Sequence, residues 1–138
     1  LVISPDGTKV YASRGEPHDI DVYDVAPDGS LTAATPITVA RWTSGLALNT
    51  DGTLLWAASF DDNRIAEIDT ATGTMVREFD VGIDTYALVW VEGSNELYAS
   101  DFTGQALAVV DLASGMLSTT LAIESQPGAL AAHPDGSK

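Results

Sequence analysis

An aromatic residue inside a short apolar run recurs at Tyr11, Trp56 and Tyr98, and an aspartate closing a second run recurs at Asp24, Asp69 and Asp111. Both columns are spaced by 45 and then 42 residues, so one unit of about 43 residues is repeated three times. Units of this length cannot bury their apolar faces alone and fold by stacking on one another. The run Pro5-Asp6-Gly7-Thr8-Lys9 returns as Pro134-Asp135-Gly136-Ser137-Lys138, which marks the start of a fourth unit.

The second unit shows what is repeated. Gly45-Leu46-Ala47-Leu48-Asn49 is a short apolar strand, and Thr50-Asp51-Gly52 is a turn whose glycine can take positive φ. A second apolar and aromatic strand over 54–59 and a polar loop over 60–63 follow. The run Ile65-Ala66-Glu67-Ile68-Asp69 then alternates as a half-buried strand does, and a turn at Thr70-Ala71-Thr72-Gly73 leads into an outer strand over 75–79. Four short antiparallel strands per repeat, with turns at constant offsets, predict a β-propeller blade. The expected fold is an all-β propeller segment: three four-stranded antiparallel blades (about 1–40, 41–82 and 83–124) and the first strand of a fourth (about 125–138).

These residues resemble the YVTN-type β-propeller repeat found in surface-layer proteins and many exported bacterial and archaeal proteins. The resemblance rests on Pro-Asp-Gly, the apolar-aromatic-Ala-Ser strand, Asn63-Arg64-Ile65 and Ile68-Asp69-Thr70-Ala71-Thr72-Gly73. It covers the whole chain and implies a fold and an extracytoplasmic or cell-surface setting, but no particular activity. The third turn of the first blade, Asp24-Val25-Ala26-Pro27-Asp28-Gly29-Ser30-Leu31-Thr32, is similar to that of 6-phosphogluconolactonase-like propellers and implies a lactone hydrolase as the alternative function. Gluconolactonase-like propellers hold a metal with carboxylate and Asn side chains. Only Asn63 is placed for that role, and Ser44 stands where that family commonly has an Asn before the glycine of the first strand.

With 20 acidic and 6 basic side chains, the net charge of −14 opposes binding to phosphate backbones, which are gripped by neutralising them with Lys and Arg. No nucleic acid is expected. The same charge suits cationic partners, metal ions or a salty medium. No Cys is present, which removes disulfides, thiolate metal sites and cysteine nucleophiles together. The longest apolar run, 86–91, is far shorter than the roughly 18 residues of a membrane helix, so no membrane span is expected. No charged-then-apolar leader precedes the first strand, and the start and end fall within a blade's first strand and its turn. That pattern suits a piece of a longer chain, or a half-ring that meets a second copy.

Antiparallel connectivity sorts the loops into two ends. The Asp-Gly and Thr-Gly turns share one end, where their carboxylates form turns; His133, aligned with Ser4, Asn49 and Trp90, falls there too. The irregular loops share the other end, the usual place for function. They carry Glu16, His18, Asp19, Trp42, Asp61, Asp62, Asn63, Asp84, Tyr86, Asp101 and Glu124. This is the expected ligand-binding face for a protein or small molecule. His18 beside Glu16 and Asp19 is either a plain loop residue or a general base or metal ligand. Asp61, Asp84 and Asp101 are either solvated charges or ligands for a divalent cation such as Ca²⁺. Trp42 and Tyr86 either stack a ligand or pack between blades. No nucleophile elbow, zinc-protease helix, phosphate loop or complete EF-hand loop occurs, so no catalytic set is visible.

Overall fold

The structure is a computed structural model that describes residues 1–16, 18–39 and 41–133. The first sheet is built from β1 (Val2–Ile3), β2 (Lys9–Ser13), β3 (Asp19–Val25), β4 (Leu31–Ala33) and β5 (Ile37–Thr38). The second holds β6 (Thr43–Leu48), β7 (Leu54–Ser59), β8 (Arg64–Asp69) and β9 (Thr74–Asp80), and the third β10 (Thr85–Val91), β11 (Glu96–Asp101), β12 (Ala106–Asp111) and β13 (Met116–Ala122). All pairings are antiparallel between chain neighbours, except that β4 and β5 both pair with β3. The outer strand of the first blade is thus interrupted at 34–36, where Pro36 has no N–H to give to a ladder. Among the described residues there is no helix.

Alternation within each strand sends one set of side chains to each neighbouring blade. Tyr11, Ile20 and Val22 of the first blade pack on Leu46, Leu55, Ala57 and Ile68 of the second. Trp56, Ile65 and Phe79 of the second pack on Leu88, Leu97, Ala99 and Val110 of the third. The aromatic column is therefore an inter-blade column, and Trp56 stacks on Trp90 with ring centroids 5.2 Å apart. Trp90 itself pairs with Leu97 inside β10 and so matches Leu48, which pairs with Leu55. The expected match of Trp90 with the turn residue Asn49 is corrected by one position: β10 runs one residue further, and Val91 accepts the Ser94 turn bonds instead.

The second blade buries one charged cluster. Glu67, only 5% exposed, accepts the indole N–H of Trp56 at 2.9 Å and two bonds from the Arg77 guanidinium at 2.9 and 3.1 Å. The three are cross-strand neighbours on β7, β8 and β9, and Arg77 also lies 4.5 Å above the Phe79 ring.

The first or second strand of each blade is stitched by a serine hydroxyl to the first strand or chain segment that follows. Ser13 Oγ donates to the Ser44 carbonyl (3.1 Å) and Ser44 Oγ to that of Thr85 (2.9 Å). Ser100 Oγ, in the place of Ser13, donates to the Gly128 carbonyl at 3.2 Å. Residues 128–133 thus lie beside the third blade where the first strand of a following blade belongs, although no partner strand pairs with them among the described residues. The Pro134–Lys138 repeat of the turn lies outside the described residues.

The turn end is self-capped. Asp6 accepts from the Ser4 and Thr8 hydroxyls and the Thr8 N–H, which lowers its carboxyl from the ordinary 3.8 to about 2. Bonds from Thr53, Ser30, Thr72 and Ser114 lower Asp51, Asp28, Asp69 and Asp111 in the same way. Depressed carboxyls contribute stability that is complete above the unfolded value and disappears as pH falls through the folded one. Urea midpoints are accordingly expected to drop from about pH 4 towards about pH 2. Asp51→Ala should be less stable than the parent at pH 7, by a margin that shrinks as pH falls below the ordinary carboxylate range; a constant difference across the acid range would remove these caps from the explanation.

Candidate functional site

At the other end, each β-strand pair of the blade centre is joined by a loop whose last residue has positive φ: His18 at 72°, Asn63 at 57° and Gln105 at 52°. In the second and third blades that residue's carbonyl accepts the N–H of the segment leaving the outer strand, Val81 to Asn63 (2.9 Å) and Ile123 to Gln105 (2.8 Å). His18 therefore holds a loop-closing position. Its Nδ1 is buried without a hydrogen-bond partner among the described residues, and no Glu or Asp is bonded to it there.

Three acidic residues of this end, Asp62, Asp84 and Asp101, are each held by separate partners. Asp62 pairs with Arg41 at 2.8 Å, which depresses its carboxyl and raises the guanidinium. Arg41 continues to Glu78, and Arg64 joins Glu78 to Asp80, so the loop entering the second blade is tied to its own outer strand. Asp84 accepts the Thr103 hydroxyl; with the Asn63 amide oriented to satisfy its bonds, Asn63 donates to Asp84 at 2.8 Å and to the Ile83 carbonyl at 3.1 Å. Asp84 thus joins the loops of two blades. Asp101, 8% exposed, accepts the Gly104 N–H at 2.9 Å, and a Cβ on Gly104 would collide with its carboxylate. Asp61 and Glu16 are exposed, while Asp19 opens β3 and pairs with Thr38. Among the described residues no three His, Asp or Glu side chains gather as a metal site, so Asp61, Asp84 and Asp101 do not form one ligand set in this geometry.

What this end does gather is aromatic. Tyr86, 45% exposed, lies 5.4 Å from Phe102 and 6.3 Å from Phe60, and these two are 5.9 Å apart. The trio draws on the loops of the second and third blades and on β10, and so packs between blades while still meeting solvent. Phe60 and Phe102 are 42 residues apart and hold the same place in their blades, a spacing visible in the sequence. In the first blade the same place is Gly15, covered by the indole of Trp42, whose Nε1 lies 3.3 Å from where a Cβ would stand. Trp42 is itself 51% exposed.

Every basic side chain among the described residues is already paired within the chain. Lys9 holds Asp24, Arg14 holds Asp21, Arg77 holds Glu67, and Arg41 and Arg64 share Glu78. The loop end therefore offers partners aromatic rings and carboxylates, and no free cation among the described residues.

No family model matches the chain, and no curated protein does. Among solved structures it is similar to hydrazine synthase of Kuenenia stuttgartiensis, with a TM-score of 0.82 and 20% identity over 97% of this chain and 38% of that one. It is also similar to U3-55K, with a TM-score of 0.76 and 16% identity over 93% of this chain and 40% of that one. The chain thus spans about two fifths of each of these β-propeller proteins. At such identities the likeness concerns fold alone: this chain has the fold of three consecutive β-propeller blades.

Proposed function

We propose that the chain is part of a YVTN-type β-propeller that works as a binding scaffold, presenting its irregular loops to a partner from an extracytoplasmic or cell-surface position. The observation that carries this reading is the contrast between the two ends of the stack. One end is made of self-capped turns, whereas at the other the loops of different blades are bonded to each other and expose aromatic rings. Rigid strands that hold such loops in place are the usual platform for recognition. The lactone-hydrolase alternative rests on the turn segment 24–32, whose Asp28 accepts the Ser30 N–H at the capped end, away from these loops.

The scaffold is completed by further blades. The flank by which the second blade buries Trp56, Ile65 and Phe79 has its counterpart in Tyr98, Leu107 and Leu121 of the third, each 42 residues later. Here that flank lines an open groove of about 660 Å³, partly covered by Leu130 and its neighbours, and Leu121 is 56% exposed. We assign this seat to a following blade rather than to the first blade of a second copy. That blade's own open flank carries the Arg14–Asp21 pair where the second and third blades bury Ala66 and Ala108, and closing a ring would bury it against Leu107 and Val109. Burying an ion pair against apolar side chains is costly.

In the whole protein, Leu107→Asp should then be as damaging as Ile65→Asp, each on the order of 3 kcal/mol or more or enough to prevent folding. A fully folded Leu107→Asp variant would show that nothing covers the flank. The same purified protein is expected to leave sugar lactones intact with Ca²⁺, Zn²⁺ or Mn²⁺ supplied; turnover would replace the scaffold by the enzyme.

A further inference from the structure

We propose that the Phe60–Tyr86–Phe102 cluster is a receptor for a cationic side chain, a lysine ammonium or arginine guanidinium carried by a basic segment of a partner protein. The inference rests on the scaffold reading above and names the chemistry of its partner. Three observations converge on it. Tyr86 keeps 45% of its surface although two rings pack on it, so the cluster is a solvent-facing aromatic site as well as inter-blade packing. Beside it in the chain stands an exposed carboxylate, Asp61, which follows Phe60, whereas Asp101 before Phe102 is 8% exposed and holds the Gly104 N–H, and Asp84, whose backbone carbonyl accepts the Phe102 N–H at 3.0 Å, is bonded to Thr103. All five basic side chains among the described residues are engaged with carboxylates of the chain, Arg41 with Asp62 beside Asp61, so none is free to occupy the rings.

A cation over an aromatic face is attracted by the ring quadrupole, and neighbouring carboxylates add to that attraction and steer its approach. An apolar or neutral partner would use the rings but gain nothing from the carboxylates, and would bring no charge to offset the overall −14. An anionic partner would meet repulsion and find no free cation among the described residues. The loop geometry supports the rings rigidly: Asp84 ties Thr103 of one loop to Asn63 of the other, so the platform is set before a partner arrives.

The test uses the whole protein and fluorescently labelled heptapeptides of lysine, of arginine and of citrulline, the neutral analogue of arginine, titrated at physiological salt. Lysine and arginine peptides should bind and the citrulline peptide should not. Tyr86→Leu, which keeps apolar bulk but removes the ring, should weaken binding roughly 3- to 10-fold. Asp61→Asn should weaken it most at low salt, whereas Glu92→Gln, which removes one charge at the capped end, should change it little. Melting temperatures of the variants confirm that they fold. Absence of binding by both basic peptides would overturn the proposal, as would Tyr86→Leu and Asp61→Asn behaving like Glu92→Gln, since attraction would then be bulk charge alone. Equal binding of the citrulline peptide, lost on Tyr86→Leu, would refute the cation receptor while leaving the loop-end scaffold standing; binding untouched by any loop variant would refute both.

Discussion

Gly45→Ala is expected to destabilise the protein by on the order of 3 kcal/mol or more, the largest effect of any single added methyl. Gly45 does not have positive φ; it is required by space. A Cβ there would stand 2.6 Å from the carbonyl oxygen of Tyr86, 2.8 Å from Cα of Ala87 and 3.0 Å from the backbone N of Leu88. All three are backbone atoms of β10, so no side chain can swing aside. The first strands of two blades would have to separate, which would also pull the Ser44 hydroxyl from the Thr85 carbonyl and loosen the Trp56 stack on Trp90. Gly7→Ala is the matched control. Gly7 has φ of 71° with nothing within 4 Å of its added Cβ, so only the conformational cost of about 1 kcal/mol applies. Urea midpoints of the two variants measure the difference; equal losses would mean that the blades are not packed this closely.

Arg77→Thr should be the most damaging loss of a surface-reaching side chain, at about 2 kcal/mol. The arginine stem and head are partly exposed, which reduces the value of the pair itself. The damage arises from Glu67, which is 5% exposed and would keep its charge with only the Trp56 indole as a partner. The equivalent blade positions show the remedy. The third blade places Val109 opposite Thr119 where the second has Glu67 opposite Arg77, and the first has Val22 at the same place as Glu67. Glu67→Val combined with Arg77→Thr should therefore be more stable than Arg77→Thr alone, short of the parent by the orphaned Trp56 N–H. A double-mutant cycle of thermal melts provides the measurement, and strictly additive losses would show that the two residues do not act as a unit.

The features legible in the sequence are those written within a few residues or repeated at a constant spacing. The Pro-Asp-Gly and Thr-Gly turns are local: Asp6, Asp51, Asp69 and Asp111 each cap backbone and hydroxyl groups two or three residues onward. Their type follows from short-range chemistry alone. The apolar-aromatic columns revealed the blades for the same reason, since every blade meets the same packing problem. The loop end was less legible. Seven acidic residues there suggested a shared cation site, yet Asp62 is committed to Arg41 and Asp84 to Thr103 and Asn63, partners 19 to 21 residues away. Glu67 read as one polar member of an alternating strand, because its partners come from the flanking strands.

The sequence by itself determined the period, the all-β class, the order of strands and the end at which tight turns gather. Each depends on backbone preferences and on an alternation that any one unit displays. Only the tertiary structure decided that Phe60, Tyr86 and Phe102 form one cluster, that Asp62, Asp84 and Asp101 are held singly, and that the third blade's flank repeats the buried flank of the second. Those outcomes depend on neighbouring blades brought together across about 42 residues of chain, where contact is set by how whole sheets stack and not by the residues beside each position.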